Sequence, residues 1–253
     1  MYGEERRRAI LERAREDGRV EVAALAEEFD VTHETVRRDL TALERAGAVR
    51  RVHGGAIPIE RIGFEPALPQ RDALMAAEKD RIAEAALAEL PEEGTVLLDA
   101  GSTTRRLAER LPPGRELTVV TNSLPIAALV SSRPGITPLL IGGRVRPRTQ
   151  AAVGGWALRV LEEVYVDAAF LATNGVSAER GLTTPDTSEA EAKRRMVRAA
   201  RRVVLLADRT KVGDDRFARF ADLSEVDCLV TDAGLDARLA EELGAAGPRV
   251  VLA

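Results

Sequence analysis

Residues 96–111, VLLDAGSTTRRLAERL, join an apolar run to a helix-patterned segment through a short polar turn. The run at 96–98 carries no charge and is typical of a strand inside a sheet. Gly101 interrupts the pattern and lets the backbone approach a ligand closely, and the hydroxyl side chains at 102–104 are favourable at the start of a helix. The stretch therefore predicts a strand–turn–helix unit, the repeating element of an α/β fold.

The same alternation continues on both sides of this stretch. Further strands are predicted at 117–121, 138–141, 168–172, 203–207, 228–231 and 250–252, and helices at 76–90, 103–111, 125–131, 156–164, 188–201 and 236–243. Strands that are rich in valine and leucine on both faces and separated by helices indicate a mainly parallel sheet covered on two sides. The predicted fold class is α/β, with a Rossmann-like C-terminal domain.

Small or polar residues follow five of the predicted strands. Ligands of such folds bind where strands end and helices begin, and free N–H groups at a helix start favour an anion. We therefore predict an anion-binding crevice there. Its predicted ligand contacts are Asp99, Gly101, Ser102, Thr103, Thr104, Thr121, Asn122, Gly142, Gly143 and Lys193.

Some of these assignments have a plain structural alternative. Serine and threonine at a helix start also serve as caps. Lys193 lies four residues after Glu189, and the two can pair on a solvated helix face. Arg144, Arg146 and Arg148 lie either near the pocket or in a charged loop. No glycine-rich dinucleotide or nucleoside-triphosphate motif is present, and no cofactor or metal is expected.

Residues 1–57 are predicted to form a winged helix-turn-helix. Two short helical patterns flank a turn at 30–32, and Thr32 is placed to cap the second of these helices. Gly47 is suited to the exit from that helix. Apolar alternation at Val49 and Val52 then indicates a wing.

The arginines of this segment fall in the predicted recognition helix and wing. Arginine pairs with guanine or with phosphate, and the first turn of a recognition helix reaches base edges. The predicted DNA contacts are Thr32, His33, Thr35, Arg37, Arg38, Arg50, Arg51 and His53. Helix-turn-helix geometry also occurs in modules that bind proteins, and the pattern alone leaves that alternative open.

Composition limits the class of protein. With 253 residues, 45% hydrophobic and 31% charged, the chain has room for two domains. We expect a linker at 58–75, where prolines interrupt the pattern, and a second domain at 76–253. The charged N-terminus, the lone Cys228 and the lack of a long apolar run favour a cytoplasmic protein with no membrane partner.

The run VTHETVRRDLTALERAGAVRRVHGGA, residues 31–56, resembles the signature of the DeoR family of bacterial regulators, with Thr32 in place of the usual serine. The pieces DAGSTT, VVTNSL, IGGRVR, GLTTPDTSEAEAKRRM and LADRTKVG resemble the same family's effector domain. Departures are small, such as Ala172 where the family often has glycine, and Arg209 and Thr210 where it often has serines. The resemblance covers about Glu4 to Asp232.

The resemblance implies a fold similar to ribose-5-phosphate isomerase and glucosamine-6-phosphate deaminase, and a phosphorylated sugar in the crevice. We therefore expect a transcriptional repressor of a sugar-metabolism operon that binds operator DNA as a homodimer or homotetramer. The alternative is a sugar-phosphate isomerase or deaminase with an appended DNA-binding segment. Carboxylates are available for such chemistry, but both histidines lie in the first 53 residues, so we expect no catalytic residues. The candidate carboxylates are Asp99, Asp186, Glu189 and Asp208.

Overall fold

The structure is a computed structural model that describes residues 3–45, 48–52, 54–58 and 65–253, with the side chains at 15 and 16 left aside. The chain divides into two compact units, Met1–Pro66 and Ala67–Ala253. We call them the N-terminal unit and the C-terminal unit. One apolar cluster forms the core of the first, and two form the core of the second.

The N-terminal unit contains three helices and a three-stranded antiparallel sheet of order β1-β3-β2. Its elements are α1 (Gly3–Asp17), β1 (Val20–Glu21), α2 (Val22–Glu28), α3 (His33–Arg45), β2 (Val49–Val52) and β3 (Gly55–Pro58). Strands β2 and β3 form the wing that the alternation of Val49 and Val52 predicted. Gly55 is required where β3 meets β1, because a Cβ there would overlap the backbone oxygen of Val20. Gly47 and His53 lie outside the described residues.

The C-terminal unit begins with helices and then alternates strands with helices. Its first half contains α4 (Leu68–Ala73), α5 (Ala76–Ala86), a 3-10 helix (Leu87–Glu89), β4 (Gly94–Leu98), α6 (Ser102–Glu109), β5 (Leu117–Thr121), α7 (Leu124–Val130), β6 (Ile136–Leu140), β7 (Arg144–Val145) and β8 (Ala152–Val153). Helix α4 falls inside the stretch predicted as linker. The proline at its first turn is compatible with a helix start.

The second half carries the remaining strands. Its elements are α8 (Gly155–Glu163), β9 (Ala168–Ala172), β10 (Gly175–Ser177), β11 (Gly181–Thr184), α9 (Thr187–Arg198), β12 (Val203–Leu206), a 3-10 helix (Arg209–Lys211), β13 (Ala218–Ala221), a 3-10 helix (Leu223–Glu225), β14 (Cys228–Thr231), α10 (Ala237–Ala245) and β15 (Arg249–Leu252). The short β7–β8 and β10–β11–β13 sheets are antiparallel additions. They were not predicted, since their short segments lack the longer apolar runs that indicated the strands of the parallel sheet.

Seven strands form one parallel sheet of order β15-β14-β12-β9-β4-β5-β6. The predicted parallel sheet is confirmed, and one apolar cluster covers each of its faces. From β4 the chain first adds strands on one side and later returns to add β9 and its neighbours on the other. The boundary between β4 and β9 is therefore the topological switch point, where α/β proteins bind ligands. No helix in the described part of the chain has the length and apolar character needed to cross a bilayer.

Candidate functional site: the recognition helix and the strand-end crevice

The start of α3 is capped as the sequence predicts. The Thr35 backbone N–H donates to the Thr32 hydroxyl at 3.2 Å, and the two hydroxyls lie 2.9 Å apart. Asp30 adopts a left-handed conformation with φ 50°, which turns the chain sharply between α2 and α3. Val36, Leu40 and Leu43 of α3 are buried, so the opposite face of the helix is presented to solvent.

The predicted DNA contacts in the described residues all lie on the surface of the N-terminal unit. Six are exposed and Thr35 is half-buried; the exposed ones are Thr32, His33, Arg37, Arg38, Arg50 and Arg51. The guanidinium of Arg37 lies 3.9 Å from Glu34 in a weak exposed pair. Arg38 and Arg50 form no ion pair within the described residues. Within the described residues, neither of these two guanidinium groups therefore has a carboxylate partner.

Two charged residues of the 31–56 run, Arg51 and Asp39, form contacts that stabilise the N-terminal unit. Arg51 donates from its backbone to Glu44 at 2.9 Å and from its side chain to Thr41 at 3.3 Å, which ties β2 to α3. Asp39 is buried and accepts from Arg6 at 2.6 Å, which fixes α1 against α3. The acidic residue of the Arg-Arg-Asp-Leu run thus positions the recognition helix.

The crevice at the carboxyl ends of β4 and β9 is built around one buried ion pair. The Lys193 ammonium on α9 donates to the Asp99 carboxylate and to the Ala172 carbonyl, the latter at 2.9 Å. Asp99 also accepts from the Ala172 backbone N–H at 3.1 Å. The Lys193 ammonium lies 5.6 Å from the Phe220 ring centre. Lys193, predicted as an anion contact, therefore mainly joins α9 to the switch point.

Burial controls the acidity of this region. It raises the pKa of the Asp99 carboxyl, and the nearby charge of Lys193 offsets part of the effect. Burial also acts to raise the pKa of Glu189, but the charges of Lys193 and Arg146, together with hydrogen bonds from Thr149 and Arg146, hold that pKa below its usual value. Glu189 is thus an ionised structural carboxylate, and the alternative of a solvated pair between Glu189 and Lys193 is wrong, because both side chains are buried with other partners.

The start of α6 offers free donors. Among the residues that the structure describes, no side chain caps this helix, whose N-cap is Gly101. Ser102 and Thr103 are 3% and 5% exposed, and neither hydroxyl forms a hydrogen bond to any residue that the structure describes. Free N–H groups at a helix start, with two unengaged hydroxyls beside them, suit an anion. A Cβ on Gly101 would lie 2.7 Å from the Ala172 Cβ, so glycine lets α6 approach β9.

Three other predicted contacts are committed to the fold. The Thr104 hydroxyl donates to the Asp99 carbonyl at 2.6 Å, and the Thr121 hydroxyl donates to the Leu98 carbonyl at 2.6 Å. The Asn122 amide accepts from Ala100 at 3.0 Å and donates to Ala152 at 3.2 Å. Thr121 and Asn122 thus hold neighbouring strand ends together, whereas Thr104 braces the turn between β4 and α6 and does not act as the helix cap that the alternative expects.

Gly142 and Gly143 lie beyond β6, two strands away from β4 in the sheet. Gly142 is exposed, and a Cβ added there would meet no described atom within 4 Å, whereas Gly143 has φ 149° and packs against the Val153 carbonyl. Arg146 belongs to the buried network, since it pairs with Glu189 and with Asp186 at 3.3 Å.

Sequence reasoning missed a second cationic group, near the carboxyl end of β12. Lys79 of α5 is buried and donates to the carbonyls of Arg71 at 2.5 Å and Leu74 at 2.7 Å. Burial lowers the pKa of Lys79 to about 8, against the attraction of Asp208. Burial likewise lowers the pKa of Lys211, and Asp208 again opposes it. The Lys211 ammonium, unlike that of Lys79, donates to no acceptor in the described chain and is therefore available to a ligand.

Comparison with known proteins agrees with this geometry. Residues 6–61 match the family described as the DeoR-like helix-turn-helix domain, and residues 75–233 match the DeoR C terminal sensor domain. The HTH-type transcriptional regulator GlpR of Haloferax volcanii is 39% identical over 99% of this chain and 98% of its own length. The HTH-type transcriptional repressor GlcR of Bacillus subtilis is 32% identical over 92% of this chain and 89% of its own.

A solved structure of ribose 5 phosphate isomerase A from Neisseria gonorrhoeae is similar over 53% of this chain and 52% of its own, with 20% identity and a TM-score of 0.37. The recognition helix, the wing and the sensor domain together define a DNA-binding transcriptional regulator. The chain belongs to the DeoR family of transcriptional regulators.

Proposed function

We propose that this regulator is a repressor of a sugar-metabolism operon and that a phosphorylated sugar in the strand-end crevice controls its affinity for operator DNA. The observation that carries the proposal is the uncapped start of α6 at the switch point, with the Ser102 and Thr103 hydroxyls unengaged in the described chain. A phosphate is held well by such donors. Relatives named as transcriptional regulators and repressors support the repressor role.

Lys211 and Asp208 supply the second half of the proposed effector site. One Asp208 oxygen is occupied by the Thr210 backbone N–H at 3.1 Å and by its hydroxyl, which leaves the other to accept from a sugar hydroxyl. The Lys211 ammonium adds a positive charge with no acceptor of its own in the described chain. A ligand with an anionic group and several hydroxyls matches these donors and acceptors.

Helix α4 links the crevice to the chain that leads to the DNA-binding unit. Leu68, its first residue, is the second residue of the C-terminal unit, so α4 continues directly from the connecting chain. Lys79 holds the end of α4 through two carbonyls and interacts with Asp208. We propose that effector binding beside Asp208 changes the hydrogen bonds from Lys79 to the end of α4. This change then biases the arrangement of the N-terminal units on DNA.

An enzymatic role has less support. Both histidines precede residue 54, so the C-terminal unit contains none. Asp99 is engaged by Lys193 and Ala172, and Glu189 by Arg146 and Thr149, so these two carboxylates are positioned by the protein itself. We propose that the chain is not an enzyme, works in the cytoplasm where the operator lies, and assembles as a dimer or tetramer because paired half-sites need paired readers.

Removing the Thr103 hydroxyl is expected to weaken effector binding without loosening the fold. Thr103→Val removes one hydrogen bond to an anion, which is worth about 1.5–3 kcal/mol, so affinity for the phosphorylated sugar falls about tenfold or more while Tm stays within a degree or so. Calorimetric titration with the sugar phosphate that shifts Tm most in a panel of hexose and pentose phosphates measures this.

Thr104→Val is the matched control, because its hydroxyl already serves the Asp99 carbonyl. It is expected to lower Tm by leaving a buried acceptor unsatisfied. Equal effector affinity in Thr103→Val and the parent protein, for every phosphate that binds, would place the effector elsewhere.

Effector affinity is expected to fall as pH rises above about 8. Free Lys79 loses its proton near that pH, while a bound phosphate, already fully ionised, favours the charged lysine. Binding above pH 8 then takes up a proton, and affinity falls by at most about tenfold per pH unit. Lys79→Arg keeps the charge at all pH values and is expected to remove the part of this limb that is due to Lys79, while Lys211, whose pKa burial also lowers, still contributes. An unchanged pH profile in Lys79→Arg contradicts a role for Lys79 in binding.

A further inference from the structure

The outer face of α8 carries an exposed apolar pair with charged neighbours. Trp156, the single tryptophan of the chain, is 71% exposed, and Val160 one turn later is 40% exposed. Arg159 and Glu163 are exposed on the same face. Monomeric surfaces seldom expose tryptophan to this degree beside further apolar side chains, whereas aromatic residues and arginine are enriched at protein–protein contacts.

The inner side of α8 is already occupied. Ala157 and Leu161 are buried in the core, and Glu162 pairs with Arg195 of α9 at 2.8 Å. Arg159 and Glu163, in contrast, form no ion pair with any described residue, although they lie one turn apart. The two opposite charges on the outer face are therefore available to a partner.

We propose that this face of α8 binds the same face of a second copy of this chain, antiparallel and around a two-fold axis. With the axis near residues 159 and 160, Arg159 of one copy and Glu163 of the other lie within one helical turn of each other, offset by about 4.5 Å along the helix. Trp156 of one copy lies near Val160 of the other. A parallel arrangement would instead bring Arg159 against Arg159. The pattern of charge is thus complementary to itself in one orientation, as an isologous interface requires.

The inference is independent of the effector proposal, because it rests on α8 and not on the crevice. A two-fold axis there also gives a DNA-binding regulator the symmetric pair of readers that a palindromic site needs.

A charge exchange tests the interface directly. Arg159→Glu and Glu163→Arg each place like charges opposite one another, so each is expected to weaken self-association by at least about tenfold in sedimentation equilibrium. The double variant exchanges the two charges and is expected to restore association. Phe217→Glu, at an exposed aromatic residue elsewhere, is the control and leaves association unchanged.

Tryptophan emission provides a second measurement. Since Trp156 is the only tryptophan, its emission is expected to shift to longer wavelength as the full-length protein is diluted into monomers. A monomeric parent protein at all concentrations, or single variants that associate as the parent does, overturns the proposal. The proposal is also overturned if Trp156 emission does not change on dilution but changes when a hexose phosphate is added without a change of oligomeric mass. Trp156 would then contact the ligand.

Discussion

Asp99→Asn is expected to destabilise the C-terminal unit by about 3–5 kcal/mol, because it leaves the Lys193 ammonium buried without its counter-charge. For a unit of this size such a loss lowers Tm by roughly 6–20 °C. Urea unfolding of the full-length protein, followed by circular dichroism, measures the change. The loss is large because the ion pair joins α9 to the ends of β4 and β9.

The reciprocal change distinguishes the two charges. Lys193→Met leaves Asp99 buried, and burial raises the pKa of its carboxyl above the unfolded value. Such a group is neutral in both states below its unfolded pKa and costs stability as pH rises through its folded pKa, so the variant is expected to be less unstable near pH 5 than near pH 7.5. Asp99→Asn with Lys193→Met is expected to recover most of the lost stability. Additive losses in the double variant would contradict a direct pair.

Arg38→Ala is expected to weaken operator binding about 5- to 150-fold, equivalent to about 1–3 kcal/mol, since Arg38 is exposed on α3 and forms no ion pair within the described chain. Fluorescence anisotropy measures the loss, with operator DNA selected by the protein from a random duplex pool. If Arg38 grips phosphate, the loss is similar for all sequences and the salt dependence becomes shallower by about one charge. If it reads a base, selectivity falls instead.

Arg238→Ala is the matched control, because it removes one exposed positive charge from α10 of the C-terminal unit. It is expected to bind the operator as the parent protein does. Arg37→Ala is expected to show a smaller loss, since that guanidinium is already near Glu34. Normal operator affinity in Arg37→Ala and Arg38→Ala alike would remove α3 from the DNA interface.

Local chemistry made much of the fold predictable. The Thr32 cap needs only a hydroxyl before a helix, and the parallel sheet follows from apolar runs that alternate with helices. Helix α4 was missed because Pro69, the prolines before it and the short length of the helix resemble a linker, while tertiary contacts stabilise the helix. One such contact is the hydrogen bond from the Leu68 N–H to the Arg148 carbonyl at 2.9 Å.

The crevice shows where sequence reasoning stops. The hydroxyls of Ser102, Thr103 and Thr104 look alike in sequence, yet two are unengaged in the described chain and the third is committed to the Asp99 carbonyl. Lys193 was predicted to contact the anionic group of a ligand, but its partner is the protein's own Asp99 carboxylate, 94 residues away in the sequence. Lys79 and Lys211 lie near Asp208 because α5 packs against β12, and no local sequence pattern predicts that tertiary contact.

The most direct test of the account is a titration of the protein–operator complex with phosphorylated sugars, with recovery of the sugar afterwards. We expect that at least one sugar phosphate changes operator affinity, that inorganic phosphate competes weakly for the same site, and that the sugar is recovered unchanged. Thr103→Val is predicted to move the midpoint of this response to higher sugar concentration. Turnover of the sugar, or an operator affinity that no phosphorylated sugar alters, would contradict the account.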